Sequence, residues 1–251
     1  MSDLKFNDRS QVNLMMIWFM GATEGQKTMT RIIVWGRRNS VNVQKVMWAI
    51  GEMDLKYIRH DVSGSFGVND DYLKLNPSGT VPTIEDGELA LWESNTCIRY
   101  LARQYGSGTL HPDNPMEAAL ADQWMEYQTS SLTPVFFQVF YNKIRLPAKQ
   151  AKPDQITEGV RGCSKFFNKL NQHLAKQDFL AGDTFSMGDI SIGSFMYRYY
   201  EMDIERPSIK FVEAWYQRLM ERSAYRKHVM IPFGNNNEEW IEMEKRNAGI
   251  Q

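Results

Sequence analysis

The chain has 251 residues, of which 43% are hydrophobic and 24% charged, enough apolar content for one large domain or two ordinary ones with a true core. Its 29 basic and 30 acidic side chains leave a net charge of −1, which argues against a nucleic-acid surface, since that normally carries a basic excess. Two cysteines exclude a disulfide framework and suit a reducing compartment, and the four scattered histidines, His60, His111, His173 and His228, offer no metal-ligand spacing.

In chain order, the most apolar run, LMMIWFM at 14–20, falls well short of the ~20 residues that span a bilayer. The charges before it balance, unlike the positive start of a signal peptide. Residues 1–29 read as a poorly ordered N-terminal extension. RIIVW (31–35) does not alternate and reads as a strand buried on both faces. Val43, Val46, Met47 and Ile50 follow helical spacing. YIRHDV (57–62) reads as a second strand and NDDYLKLN (69–76) as a short helix or turn. NPSGTVPTIEDGELALW (76–92) reads as a hairpin, with TVPTI and ELALW joined by a turn at Asp86–Gly87. ESNTCIRYLARQY (93–105) is helical, with Ile98, Leu101, Ala102 and Tyr105 on one face. The order β-α-β-α-β-β-α opens as a parallel βαβ unit and closes on an antiparallel hairpin.

GSGTLHPDNP (106–115) is too rich in glycine and proline for a helix and reads as a linker. Beyond it, helical patterns cover 116–143, 154–176, 187–201 and 208–222, with a short polar one near 237–247. The expected organisation is an α/β domain over 30–106, a linker over 107–115 and an all-helical domain over 116–251.

Three short stretches carry candidate chemistry. In NSVN, Asn39, Ser40 and Asn42 stand where a strand passes into a helix. They are candidates to cap that helix, or to place a hydroxyl and free N–H groups against an anion such as a thiolate. In PSGTVPT, Pro82 follows Val81 at the start of a strand, which fits an edge position or a cis peptide. The Val81 backbone either closes a simple turn or faces outward to pair with an extended ligand. In WESNT, Glu93 and Ser94 open a helix, either for its stability or to hold an ammonium and a carboxylate. Trp124 and Tyr127, three apart on the first long helix, suit a core, an interface or a ligand groove. Cys97 and Cys163 have no local histidine partner and read as buried, inert thiols.

Taken together, NSVNVQKV, LNPSGTVPTIEDG, LWESNTCIRYLA and LAGDTFSMGDI resemble the soluble glutathione transferase superfamily over roughly residues 31–230. The first motif is most similar to the serine-type, theta-like bacterial branch. The resemblance implies a thioredoxin-like domain joined to an all-helical domain, with FSMGDI as a structural capping box from Ser186 to Asp189. It implies that Ser40 bonds the glutathione sulfur, the part that Asn42 matches in a disulfide-reducing branch. Val81, before a cis Pro82, would pair with the cysteinyl backbone, and Glu93 and Ser94 would hold the γ-glutamyl end. Trp124 and Tyr127 would line the groove for the second substrate. Many relatives carry lysine, arginine or glutamine just before Val-Pro; here Thr80 follows Gly79, leaving Arg37 or Arg38 to meet the glycine carboxylate.

The implied activity is attack of an activated glutathione thiolate on an electrophilic small molecule. Glutathione serves as co-substrate with no cofactor or metal, in a cytoplasmic homodimer without nucleic-acid or membrane partners. Glutathione-dependent disulfide reduction and a non-catalytic interaction or ligand-binding module of the same fold are the alternatives.

Overall fold

The computed structural model describes residues 31–251, which form one compact unit; the expected extension over 1–29, with its apolar run, lies outside the described residues. The first half runs β1 (Ile32–Trp35), α1 (Val41–Glu52), β2 (Tyr57–His60), α2 (Asp70–Leu75), β3 (Thr83–Asp86), β4 (Leu89–Trp92) and α3 (Ser94–Tyr105). This is the order the sequence predicts. The four strands lie in the order β2-β1-β3-β4. β1 pairs parallel to β2, with Ile33 opposite Ile58, and antiparallel to β3, with Val34 opposite Ile84. The hairpin closes with Asp86 opposite Leu89.

One expectation for β1 is corrected. Ile32 and Val34 are buried while Ile33 and Trp35 are only half-buried, so the strand has one true core face. The other face is kept partly polar: Trp35 Nε1 donates to Glu85 at 2.6 Å and its ring lies 4.6 Å from that of His60. Strand β3 also starts later than expected, at Thr83, leaving the cis peptide Val81–Pro82 outside the ladder.

The second half is helical. α4 (Pro115–Tyr127) and α5 (Thr133–Phe140) form a nearly continuous rod, interrupted by one π-helical turn at Gln128–Leu132 and extended by another at Tyr141–Arg145. Asn114 caps α4, accepting from Met116 N at 2.9 Å, with Pro115 at its first position. α6 (Pro153–Leu174), α7 (Met187–Glu201) and α8 (Lys210–Met220) complete the bundle, followed by α9 (Ser223–His228) and α10 (Asn237–Arg246). The six-residue α9 has no periodic signal of its own in the sequence.

Two apolar cores share α1. Val43, Val46, Met47 and Ile50 pack into the sheet core with Ile32, Val34 and Ile84. Val41, Trp48 and Ala49 pack into the helical core. Trp48 is fully buried, its ring 4.6 Å from that of Tyr225 and 5.4 Å from that of Phe185. Helix α7 approaches closely enough that a Cβ on Gly193 would lie 2.9 Å from the Trp48 ring. α7 itself starts at the expected capping box, whose carboxylate is a hub. Asp189 accepts from Ser186 N at 2.9 Å, Leu180 N at 3.0 Å and Trp215 Nε1 at 2.9 Å. Complete burial pushes its carboxyl up to about 6, against the pull of those donors.

Asp189→Ala therefore leaves three buried N–H donors, and the Ser186 hydroxyl that donates at 3.3 Å, without this acceptor. At ~1–3 kcal/mol for each unsatisfied group, we expect a loss of roughly 3 kcal/mol or more, read as a lower urea midpoint with an unchanged m-value.

Candidate functional site

The start of α1 opens onto a cavity of 240 Å³ lined from both halves of the molecule. The α/β side contributes Arg37, Asn39, Ser40, Asn42, Ser63, Thr80 and Val81. The helical side contributes Phe137, Phe140, Tyr141, Arg145, Arg198 and Trp240.

Ser40 is the residue at the cap position of α1, but its side chain makes no capping bond. The first N–H groups of a helix have no partner within it, so the hydroxyl and these donors share the cavity edge. Gly36, at φ +151°, permits the close approach: a Cβ there would strike Val43 at 2.4 Å and Val81 at 3.1 Å. Asn39 is buried, and neither polar atom of its side chain has a partner among the described residues. The reading of Asn42 as a cap is corrected. It is the second residue of the helix, and its Oδ1 accepts from Ser94 Oγ at 3.3 Å.

Opposite, the segment before the cis peptide is pinned from behind. Tyr72 Oη and Asn76 Nδ2 both donate to the Thr80 carbonyl, and Asn76 Nδ2 also reaches Thr83 Oγ1 at 3.1 Å. Val81 borders the cavity and Pro82 is buried behind it. Among the described residues the Val81 backbone takes no partner, since β1–β3 pairing begins at Thr83. Arg37 lines the cavity beside Thr80, with Nη1 donating to Ser63 Oγ at 3.0 Å. Arg38 turns away to Asn247 Oδ1 at 2.8 Å.

Glu93 and Ser94 stand at the start of α3, not in the cavity wall. Glu93 is exposed with φ +69°, an uncommon backbone conformation for a non-glycine residue. Ser94 is buried and joins a polar network absent from the sequence reading. Its centre is Lys45, which is 2% exposed. Lys45 Nζ donates to Gln128 Oε1 at 2.7 Å, Asn95 Oδ1 at 3.3 Å and Ser94 Oγ at 3.4 Å. The chain Gln128–Lys45–Ser94–Asn42 thus runs from the helical half to the first turn of α1. Burial pulls the Lys45 ammonium down to about 7, with Glu93 opposing. The sequence signal was a lone lysine inside VQKVMWAI, four residues from Val41 and three from Trp48 on the face turned to the helical core.

Trp124 and Tyr127 do not border this cavity. Trp124 is buried with its ring 4.6 Å from that of His173, and Tyr127 stacks 4.9 Å from Phe166. Both rings serve the helical core because α4 turns that face toward α6. Phe137, Phe140, Tyr141 and Trp240 supply the aromatic wall instead. The two thiols are buried, and burial pushes Cys163 up to about 12 and Cys97 higher still. Among the described residues no cluster of potential metal ligands occurs and no helix is long and apolar enough to cross a membrane.

Comparison with known proteins places these features in a family context. The model for the glutathione S-transferase N-terminal domain matches residues 39–104, and that for the C-terminal domain matches 124–223. The chain is 38% identical to glutathione S-transferase GstB of Escherichia coli over 205 residues, covering 80% of this chain and 99% of that protein. It is 30% identical over 220 residues to a probable glutathione S-transferase, GSTF1, of Oryza sativa, covering 82% and 100%. Among solved structures, the theta class glutathione S-transferase from Xanthomonas axonopodis pv. citri with glutathione bound superposes with a TM-score of 0.79. It is 43% identical and matches 82% of this chain and all of that one.

The Lys45 network carries a pH dependence of known sign. Burial holds the folded-state pKa, about 7, below the ordinary lysine value of 10.5, so between these values the unfolded chain binds the extra proton and stability rises with pH. The melting temperature of the wild type should climb relative to Lys45→Met from pH 7 to pH 9.5. A constant difference across that range would show that Lys45 stays charged in the fold.

Proposed function

This chain belongs to the glutathione S-transferase family and is a glutathione transferase, and we propose that its Ser40 hydroxyl activates the glutathione sulfur. The observation that carries this is the hydroxyl left unspent at the start of α1, on a cavity it shares with the Val81 backbone, which has no partner among the described residues. A thiol of pKa ~8.5 is mostly protonated at neutral pH. A hydroxyl donor plus the positive end of a helix lowers that value by about one to two units, a preference for the anion of roughly 1.4–2.7 kcal/mol. The thiolate is the nucleophile, and the cavity holds it against the electrophile.

The remaining contacts are proposed from the family motifs, Glu93 and Ser94 lying beyond the wall of this cavity. The Val81 N–H and C=O pair with the cysteinyl backbone, with Pro82 behind them. Glu93 takes the γ-glutamyl ammonium, and Ser94, held by Lys45 and Asn42, takes its carboxylate. Arg37 meets the glycine carboxylate in place of the missing basic side chain at Thr80. Asn42 acts by orienting Ser94, a different part from the sulfur donor of the disulfide-reducing branch. Glutathione is the co-substrate, and the protein works in the cytoplasm. The domain division is that suggested by the sequence: extension 1–29, glutathione-binding domain 30–106, linker 107–115 and helical domain 116–251.

We further propose a homodimer. Leu89 and Trp92 on β4, with Met116 and Leu120 on α4, are all exposed. These two elements, with α3, border an 800 Å³ groove lined by Leu89, Leu91, Arg99, Arg103 and Asp122 among others. A two-fold partner would bury this apolar rim. Sedimentation at micromolar concentration should give about 58 kDa, twice the chain mass of 29.2 kDa; a species of single-chain mass would count against the dimer.

The activation is tested by ultraviolet titration of bound glutathione. Ser40→Ala should raise the thiol pKa by about one unit and slow conjugation on the order of tenfold to a hundredfold, with little loss of stability. An unchanged titration with a lower melting temperature would reduce Ser40 to a helix cap.

A further inference from the structure

The wall of the cavity facing Ser40 is cationic as well as aromatic. Arg145 lies with its guanidinium 4.7 Å from the centre of the Trp240 ring and 5.3 Å from that of Tyr141. Arg198 is 2% exposed, its guanidinium 5.0 Å from the Phe140 ring. One edge of Arg198 is occupied, with Nη2 donating to the Asn39 carbonyl and to Gln44 Oε1 at 3.0 Å. Among the described residues its Nε has no partner, nor has the buried Asn39 amide beside it. Arg37 completes the cluster.

Against these three guanidinium groups, the described residues place one carboxylate within 4.0 Å, that of Glu244 on α10. It lies 2.8 Å from Arg37 Nε, at an angle that makes no hydrogen bond, and accepts from Ser65 N at 2.7 Å. No carboxylate of the described residues reaches Arg145 or Arg198. The cavity thus holds about two positive charges in excess of the carboxylates among the described residues, beside an aromatic wall. Burial and the neighbouring Arg37 and Arg145 pull Arg198 down to about 9, the sign of a charge that lacks its counter-ion. An unpaired buried charge is costly, and an arriving anion removes that cost.

Resting on the reading that glutathione lies along the α/β side, with its glycine carboxylate at Arg37, we propose that the second substrate is an electrophile carrying an anionic group. A carboxylate docks on Arg145 and Arg198 while its apolar body lies against Phe137, Phe140 and Trp240. The electrophilic carbon then faces the sulfur at Ser40. The reaction balances simply. The thiol proton goes to solvent on ionisation, the thiolate pair forms the C–S bond, and the C–X bond breaks with its pair leaving as X⁻. The arginines take no part in bond making; they select and orient the electrophile.

A matched pair of electrophiles tests this: 4-chloro-3,5-dinitrobenzoate and its methyl ester, both losing chloride to glutathione. Rates are divided by those of the uncatalysed reactions. We expect kcat/KM for the acid to exceed that for the ester by about tenfold. Arg145→Gln should lower the acid value about tenfold while changing the ester less than about threefold and leaving the KM for glutathione in place, and Arg145→Lys should keep part of the preference. Equal turnover of acid and ester by the wild type, or an equal loss of both in Arg145→Gln, would overturn the inference while leaving the transferase reading intact. Turnover of neither, with no thiolate formed on the protein, would overturn both.

Discussion

Helix α1 is buried on two sides. Val43, Val46, Met47 and Ile50 belong to the sheet core, while Val41, Trp48 and Ala49 belong to the helical core. Each large apolar side chain removed from water contributes about 1.5–3 kcal/mol, so neither half can shift against this helix without exposing it. Its first turn is therefore held where the two halves meet. Ser40, Asn39 and the free N–H groups are set at the edge of a cavity whose far wall comes from residues more than 90 positions later in the chain. The site exists because one short helix is a structural member of both cores.

Double burial also explains the polar machinery behind the site. A helix with no solvent face must place any polar side chain inside the protein. Lys45 occupies such a position and is accommodated by three oxygen acceptors, from Ser94, Asn95 and Gln128. Asn95 in turn donates to the Met125 carbonyl at 3.0 Å. The network links the start of α3 to the π-helical turn of the rod, so the residues expected to grip one end of glutathione are oriented by the helical half. Fully satisfied buried networks of this kind rigidify the groups they join.

Charge is distributed unevenly between front and back. Behind α1 the single lysine is solvated by neutral partners. In front, among the described residues, Arg37, Arg145 and Arg198 outnumber the one carboxylate, Glu244. Both the helix end and this excess suit the anion proposed at Ser40, the glutathione thiolate. The selectivity proposed for the partner electrophile rests on the same excess, at the cavity that Ser40 borders.

Local physics was legible in the residues alone. The β-α-β-α-β-β-α order, the helical second half and the Asp189 capping box all rest on neighbours a few positions apart, so spacing and turn chemistry suffice to read them, whereas the residues alone left Pro82 open between an edge position and a cis peptide and the family resemblance implied the latter. The motif around Ser40 was legible for the same reason. What sequence spacing could not decide was which polar groups would be left over. Asn42 reads as a cap until Ser94, 52 positions away, takes its oxygen, and RIIVW reads as fully buried until the sheet leaves Ile33 and Trp35 half-covered. Trp124 and Tyr127 have the right spacing for a groove, yet the packing of α4 on α6 consumes them, and Arg145, Arg198 and Trp240 supply the wall from segments that carry no local signal. Those assignments depend on contacts across tens to hundreds of residues, where the burial of an apolar face decides the orientation and the charges follow it.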